Sequence, residues 1–164
     1  MGADLNKANL QGANLRSVDL RGANLQSANL TQSDLSYADL RLTNFDKANL
    51  QGANLSNTHL LDASFRQSNL QLVNLTDSYA EGNVDPYTSI KQFVDFEGAN
   101  LLKANLTNAK LGFANLQSAN LSEVNLVDAY LENASFININ LTNAKLCNTT
   151  LQDGTVNNKN CSLQ

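Results

Sequence analysis

A hydrophobic side chain recurs at every fifth position through most of the chain. From Leu5 to Leu75 each fifth residue is Leu or Phe, and a second block from Phe96 to Val156 keeps the same period. Two places before most centres lies a small residue, most often Ala, and the residue between them is usually Asn or Asp. The repeating unit is therefore Ala-Asn-Leu followed by two variable, mostly polar residues.

A period of five residues fits neither a helix nor a flat sheet. Five residues of α-helix rotate by about 500°, which leaves each Leu about 140° away from the previous one. In a straight strand, the same step sends successive Leu side chains to opposite faces. Within one unit, however, Ala and Leu lie two positions apart and point the same way, as in an extended chain. We therefore predict a solenoid that turns a corner after every unit, with Leu and the small residues inside.

Longer repeats indicate how many sides each coil has. Residues 6–15 return at residues 46–55 with nine of ten identical, an offset of 40, and Phe45 and Phe65 are 20 apart. A four-sided coil of 20 residues stacks these positions, whereas a three-sided coil does not. One further repeat, of Thr-Asn-Ala-Lys-Leu, has an offset of 35 that fits neither. We predict about seven four-sided coils, forming a rod on the order of 35 Å long.

The Ala-(Asp/Asn)-Leu-X-X unit resembles that of the pentapeptide repeat family. The resemblance covers residues 3–78 and 94–156, which is nearly the whole chain. It implies an all-β fold, the right-handed quadrilateral β-helix. The handedness comes from the resemblance, because the periodicity does not determine it.

We divide the chain into a first repeat block (1–78), an interruption (79–93), a second repeat block (94–156) and a C-terminal tail (157–164). With six Phe, four Tyr and no Trp, the chain has few residues that could fill a wide interior. We expect a narrow core built from the unit centres of both blocks. Its representative residues are Leu5, Leu25, Phe45, Leu50, Phe65, Phe96, Leu116 and Phe136.

The interruption changes the register of the repeat, because the step from Leu75 to Phe96 is 21 residues. If Ala80 closes the fourth side of a coil, the interruption is an excursion, a loop that leaves the solenoid at one corner and returns to it. Phe96 then begins the next coil and stacks over Phe65. If the interruption is an irregular extra coil, Phe96 lies over Leu75 instead. We favour the excursion.

Asp85 and Pro86 favour a short helix within the interruption, as an N-cap followed by a proline at the first helical position. The segment is either a joint between the two blocks or a binding loop, since loops on rigid scaffolds often carry function. The joint is the simpler interpretation.

The chain offers little material for catalysis. It has one His, no paired-Cys motif, no glycine-rich phosphate loop and no calcium-binding repeat. His59 would lie one coil from Asp39, and Ser56 and Ser64 are near it in sequence, but a triad also needs a pocket and oxyanion donors. A convex rod supplies neither. We expect no enzyme, no catalytic residue and no cofactor or metal site.

Cys147 and Cys161 match no metal-ligand spacing. We expect two reduced thiols, because we expect a cytoplasmic protein; a disulfide is the alternative. No apolar run approaches the roughly 18 residues of a membrane span, and the repeat begins too close to Met1 to leave room for a signal peptide.

Charge separates two candidate functions. Some pentapeptide repeat proteins resemble DNA in size and negative surface and bind type II topoisomerases such as gyrase in its place, a role that suits acidic columns. Here the net charge is −4, and Arg21 and Arg41 follow Asp19 and Asp39 closely enough to neutralise them. We predict a non-enzymatic protein-interaction scaffold; the alternative is a DNA-mimicking regulator of gyrase or another type II topoisomerase. Direct nucleic-acid binding is not expected.

The mimics of this family tend to dimerise through a hydrophobic C-terminal surface, and residues 157–164 have little apolar material for that. The first repeat begins without a cap, so its strand edge is open to pairing. We expect either a monomer or an end-to-end dimer.

Overall fold

The protein is a single rod of stacked square coils in the computed structural model, which describes residues 2–80, 83–84, 91–159 and 161. Parallel bridges join residues 20 apart, from Asp4–Asn24 to Tyr130–Thr150. The step widens to 31 only across the interruption, as in Ser64–Asp95. These bridges define seven coils of four sides. The predicted all-β, right-handed quadrilateral β-helix is confirmed.

We number the four faces by the outward residues of coil 1. Face 1 carries Asp4, face 2 Asn9, face 3 Asn14 and face 4 Asp19, and every later coil repeats the four faces in this order. Coils 1–4 come from residues before the interruption and coils 5–7 from residues after it.

Among the described residues, four short strands form two antiparallel pairs. Strand β1 (Asn83–Val84) pairs with β2 (Lys91–Gln92) inside the interruption. Strand β3 (Leu146–Thr150) pairs with β4 (Val156–Lys159), with a register shift between Leu146 and Thr149. Strand β4 therefore includes the first three residues of the segment, 157–164, that we interpreted as a tail.

Asp85 and Pro86, where we predicted a short helix, lie outside the described residues. The described part of the chain contains no helix that could span a membrane.

Each corner is a tight turn with a left-handed residue. At the first corner the amide of Ala8 donates to the carbonyl of Leu5 at 3.0 Å, and Lys7 has a φ of 57°. A positive φ at the third position is the mark of a type II turn, which favours glycine. Only some corners have glycine there; others use residues as large as Leu42 and Phe113, at φ of 60° and 64°. A non-glycine residue in this conformation costs about 1–2 kcal/mol, so other interactions must hold the corners.

The interior contains the unit centres, as the solenoid requires. Six of the eight representative core residues have no exposed surface, and the two in the end coils, Leu5 and Phe136, are partly buried against the core. The end coils have a neighbour on only one side, which accounts for the difference. The six buried centres are Leu25, Phe45, Leu50, Phe65, Phe96 and Leu116.

A phenylalanine ladder crosses the interruption on face 1. The rings of Phe45 and Phe65 stack with centroids 4.8 Å apart, and those of Phe65 and Phe96 with centroids 5.2 Å apart. Ala80 is fully buried and its amide donates to the carbonyl of Lys110 at 2.8 Å, so it closes the fourth side of coil 4. The excursion is confirmed, and Phe96 stacks over Phe65 rather than Leu75.

The expectation of two reduced thiols is wrong. Cys147 and Cys161 form a disulfide, and their Cα atoms lie 4.8 Å apart although 14 positions separate them in sequence. The antiparallel pairing of β3 and β4 folds the chain back on the last coil, which brings the two residues together. The expectation of reduced thiols rested on spacing and location and did not include this hairpin.

Reduction should loosen the C-terminal hairpin and leave the middle of the rod intact. A disulfide that closes a loop of this length contributes about 3 kcal/mol, and each coil contacts only its neighbours. We expect no free thiol in the air-exposed, denatured protein, and faster amide exchange in β4 after reduction, with unchanged exchange in coils 2 and 3. Two thiols in the unreduced protein would contradict the pairing.

Leu50→Lys should unfold the rod around coil 3, because the substitution places a charge without a partner in a dry interior. Leu72→Lys is the matched control: Leu72 is a corner residue that is 52% exposed, and other corners already carry Lys. Thermal melts should show a large loss of stability for the first variant and almost none for the second. Equal melting temperatures would mean that Leu50 does not point inward.

Candidate functional site

Asparagine side chains bind the coils to one another on faces 1–3. In coil 2, the Asn29 Oδ1 accepts a hydrogen bond from the amide of Thr31 at 3.2 Å, and the Asn29 Nδ2 donates to the Oδ1 of Asn9 in coil 1 at 3.2 Å. One side chain thus holds its own corner and the neighbouring coil. On face 2 the outward residue is Asn in all seven coils: Asn9, Asn29, Asn49, Asn69, Asn100, Asn120 and Asn140.

Face 4 lacks the outward asparagine in every coil. Asp19 and Asp39 keep the corner bond, since each Oδ1 accepts from the amide two residues later at 3.1 and 3.3 Å. No outward residue of face 4 is Asn, so the amide ladder of the other faces cannot form there. Such a consistent departure from a stabilising residue marks face 4 as the candidate functional site. Its outward residues are Asp19, Asp39, His59, Tyr79, Lys110, Tyr130 and Thr150.

Aromatic side chains gather around face 4 in coils 4–6. Tyr79 and Tyr130 lie on the face itself and are 40% and 37% exposed. Phe93 and Phe113 line a hollow of about 250 Å³ at the corner between faces 4 and 1, close to where the interruption leaves the rod. Exposed aromatic side chains of this kind are enriched at protein interfaces.

A larger hollow of about 650 Å³ lies between face 4 and the corner that precedes it. One wall consists of the left-handed corner residues of coils 4–6, and the other consists of the outward residues of face 4 in the same coils. Both walls run along the rod axis, so the hollow is a groove. We call it the tyrosine groove, lined by Asp77, Asn108 and Asp128 on one side and Tyr79, Lys110 and Tyr130 on the other.

Neighbouring residues position the groove side chains. A Cβ on Gly112 would meet the Cε1 of Tyr130 at 3.0 Å, so the glycine leaves room for the tyrosine ring. The Tyr130 hydroxyl donates to Glu132 in the adjoining corner. On the opposite wall, the Nδ2 of Asn148 donates to the Oδ1 of Asp128 at 2.7 Å and fixes that carboxylate.

The negative charge of the molecule lies mainly on this side. Face 4 and its two corners carry four cations against seven carboxylates. Outside the interruption, the rest of the chain carries six carboxylates against six cations and is neutral. The acidic residues of the face 4 side are Asp19, Asp39, Asp62, Asp77, Asp128, Glu132 and Asp153, and the cations are Arg16, Arg21, Arg41 and Lys110.

The face 4 carboxylates of coils 1 and 2, those of Asp19 and Asp39, are neutralised, as predicted. Arg21 bridges Asp19 at 2.7 Å and Asp39 at 3.6 Å, and Arg41 bridges Asp39 at 2.5 Å. The hydrogen bond from Arg21 lowers the pKa of Asp19 to about 2, and Arg41 lowers the pKa of Asp39. On the face 4 side, the carboxylates outside these ion pairs therefore lie in coils 3–7, where the groove is.

The structure does not assemble a triad around His59. The His59 ring meets Tyr79 edge-on, with centroids 3.9 Å apart. Ser64 lies on face 1 and its hydroxyl donates to Asp46. Among the described residues, no group of three or more His, Cys, Asp or Glu side chains could hold a metal ion. His59 extends the aromatic column of face 4 by one coil.

The family model for pentapeptide repeats matches the chain in eight copies, over residues 1–36, 23–60, 38–77, 92–126 and 125–157. The chain belongs to the pentapeptide repeat family. The matched segments leave out residues 78–91, most of the interruption, so the repeats defined by the family and the coils of the structure agree. No curated protein sequence matches this pentapeptide repeat protein.

Solved structures of the family share the fold. QnrB1, a plasmid-mediated fluoroquinolone resistance protein, is 21% identical in a trypsin-treated form, with a TM-score of 0.60 over 87% of this chain and 69% of that one. Full-length QnrB1 is 18% identical, with a TM-score of 0.51 over 93% and 83% of the two chains. HetL from the cyanobacterium Nostoc sp. strain PCC 7120 is 26% identical over 94% and 68%, with a TM-score of 0.41. At these identities QnrB1 supports the fold and no more.

Restoring asparagine to face 4 should not harm the fold. In the triple variant Tyr79→Asn, Lys110→Asn and Tyr130→Asn, the new side chains can bond one another between coils, and those at positions 110 and 130 can also bond their own corners, as on face 2. We expect an equal or higher melting temperature. The reciprocal variant of the same coils on face 2, Asn69→Tyr, Asn100→Lys and Asn120→Tyr, should lose hydrogen bonds worth roughly 1 kcal/mol each.

A clear drop in melting temperature for the face 4 variant would mean that its tyrosines and lysine are there for stability. In that case the absence of asparagine from face 4 would no longer indicate that it is the functional side of the rod.

Proposed function

We propose that this protein is a non-enzymatic scaffold that binds a protein partner through face 4 of coils 4–6. The observation that supports the proposal is the exclusion of asparagine from face 4, where an aromatic and acidic groove takes its place. Asparagine occupies all seven outward positions of face 2, five of face 3 and three of face 1, so every other face keeps this stabilising residue in several coils.

The rod suits this role physically. Tyr79 and Tyr130 are partly buried by their surroundings and project from a backbone that is hydrogen-bonded on both sides. Little conformational entropy is then lost when a partner docks, which favours affinity. The acidic excess around the groove steers a basic partner towards face 4 and suppresses acidic ones.

The second candidate is a DNA-mimicking binder of gyrase or another type II topoisomerase, and the acidic side of the rod favours it. Duplex DNA carries about one charge per 1.7 Å, so a stretch as long as seven coils has on the order of 20 charges. The face 4 side has seven carboxylates and four cations. Its field is weak by that standard, so we prefer the scaffold.

Comparison of the wild-type protein with the face 4 asparagine variant tests the scaffold. Both proteins, immobilised at full length, are exposed to lysate of the source organism, and retained proteins are quantified by mass spectrometry. The control variant removes an ion pair on the far side of the rod, Lys103→Asn with Glu123→Gln, whose charged atoms are 3.5 Å apart. A partner should bind the wild type and the control and be lost from the face 4 variant.

If every retained protein binds all three forms equally, face 4 is not the docking surface. A supercoiling assay tests the second candidate separately. If the protein has no effect on gyrase at tens of micromolar, the DNA-mimic candidate is removed. If the wild type inhibits gyrase and the face 4 variant does not, the DNA mimic is favoured over the general scaffold.

A further inference from the structure

The dimensions of the tyrosine groove restrict what can lie in it. Its walls are two residues apart along the chain, as Asp77 and Tyr79 are, so their Cα atoms are separated by at most about 7 Å. An α-helix with its side chains is about 10–12 Å wide and does not fit between them. A single extended segment of polypeptide does.

The groove also repeats its chemistry at a fixed interval. Asp77 and Asp128 lie on one wall two coils apart, and Tyr79 and Tyr130 lie opposite them, again two coils apart. Stacked rings in the interior show the coil spacing directly, at 4.8 and 5.2 Å. The two carboxylates and the two tyrosines are therefore each about 10 Å apart along the rod axis.

An interval of about 10 Å matches one kind of extended peptide. A polyproline II helix has three residues per turn and rises about 3.1 Å per residue, so positions i and i+3 face the same way about 9.3 Å apart. In a β-strand, side chains on one face are about 6.6 or 13 Å apart. A peptide in that conformation that reaches one of the two carboxylates therefore misses the other.

The residues of each coil indicate which side chains such a peptide carries. At both ends a carboxylate lies beside a tyrosine, a pair that suits a guanidinium, which can bond the acid and contact the aromatic ring. The middle coil has Asn108 and Lys110, and the side-chain amide of Asn108 can donate a hydrogen bond to a peptide carbonyl group. The Asn148 bond to Asp128 uses one carboxylate oxygen and leaves the other for the ligand.

We propose that the tyrosine groove binds a basic segment of a partner protein in the polyproline II conformation, with Arg or Lys side chains three residues apart. The inference rests on the proposed function, since it specifies the part of the partner that docks on face 4. One cationic side chain meets Asp77 and Tyr79, and the next meets Asp128 and Tyr130.

Fluorescence polarisation with labelled peptides tests this directly. The probe is Pro-Pro-Arg-Pro-Pro-Arg-Pro-Pro, and the comparison peptide has the same composition with its two Arg residues two positions apart. Full-length wild type is compared with Asp77→Asn/Asp128→Asn. The charge-matched control is Glu97→Gln/Glu123→Gln, which changes two carboxylates at similar heights on other sides of the rod.

The first peptide should bind the wild type and the control more tightly than the second does, and added salt should weaken it. Its Kd should rise about fivefold or more in Asp77→Asn/Asp128→Asn, because two exposed ion pairs are lost. Equal binding of the two peptides, or no change in that variant, would overturn the proposal.

A third arm separates this proposal from the general one. An array of acidic, helical and β-strand peptides is probed with the wild type and with the face 4 asparagine variant. A peptide of another class that binds only the wild type would leave face 4 as a docking surface and overturn the polyproline II occupant. If no peptide and no lysate protein distinguishes the two forms, both proposals fail.

Discussion

The fold depends on the asparagine side chain that bonds in two directions at once. A chain that turns a corner every five residues places a left-handed residue in each turn, at a cost of about 1–2 kcal/mol where that residue is not glycine. The Asn Oδ1 holds the amide that enters the turn, and the Nδ2 holds the coil before it. Repeated on three faces, these bonds let ordinary residues occupy the strained positions.

This dependence explains why face 4 is informative. On faces 1–3 the outward position mainly serves the stability of the solenoid, so its residues say little about function. On face 4 the outward position is occupied by side chains that cannot form the amide ladder, including Tyr79, Lys110 and Tyr130. Proteins commonly give up stability where binding needs particular side chains. The rigid remainder of the rod holds those side chains at fixed intervals.

Much of this organisation could be predicted from the sequence, because it follows from a strict period. The offset between repeats predicted the four-sided coil, and taking Ala80 as the fourth centre of a coil favoured Phe96 over Phe65, which the ring stacking confirms. The second role of asparagine was missed, since bonds between coils become visible only when the coils are stacked. The disulfide was considered only as the alternative to reduced thiols, because β4 lies at the end of the repeat, where no period constrains the chain.

The candidate site was accessible to sequence reasoning, but only through the coil length. The net charge alone describes a weakly acidic chain and does not distinguish one side of the rod from another. Sorted by face, the same residues give an acidic side in which Arg21 and Arg41 neutralise the first coils and leave Asp77 and Asp128 beside tyrosines. In a solenoid, residues with a shared function lie a whole coil apart in sequence. Averages over consecutive residues therefore obscure the arrangement of columns on which the proposed function rests.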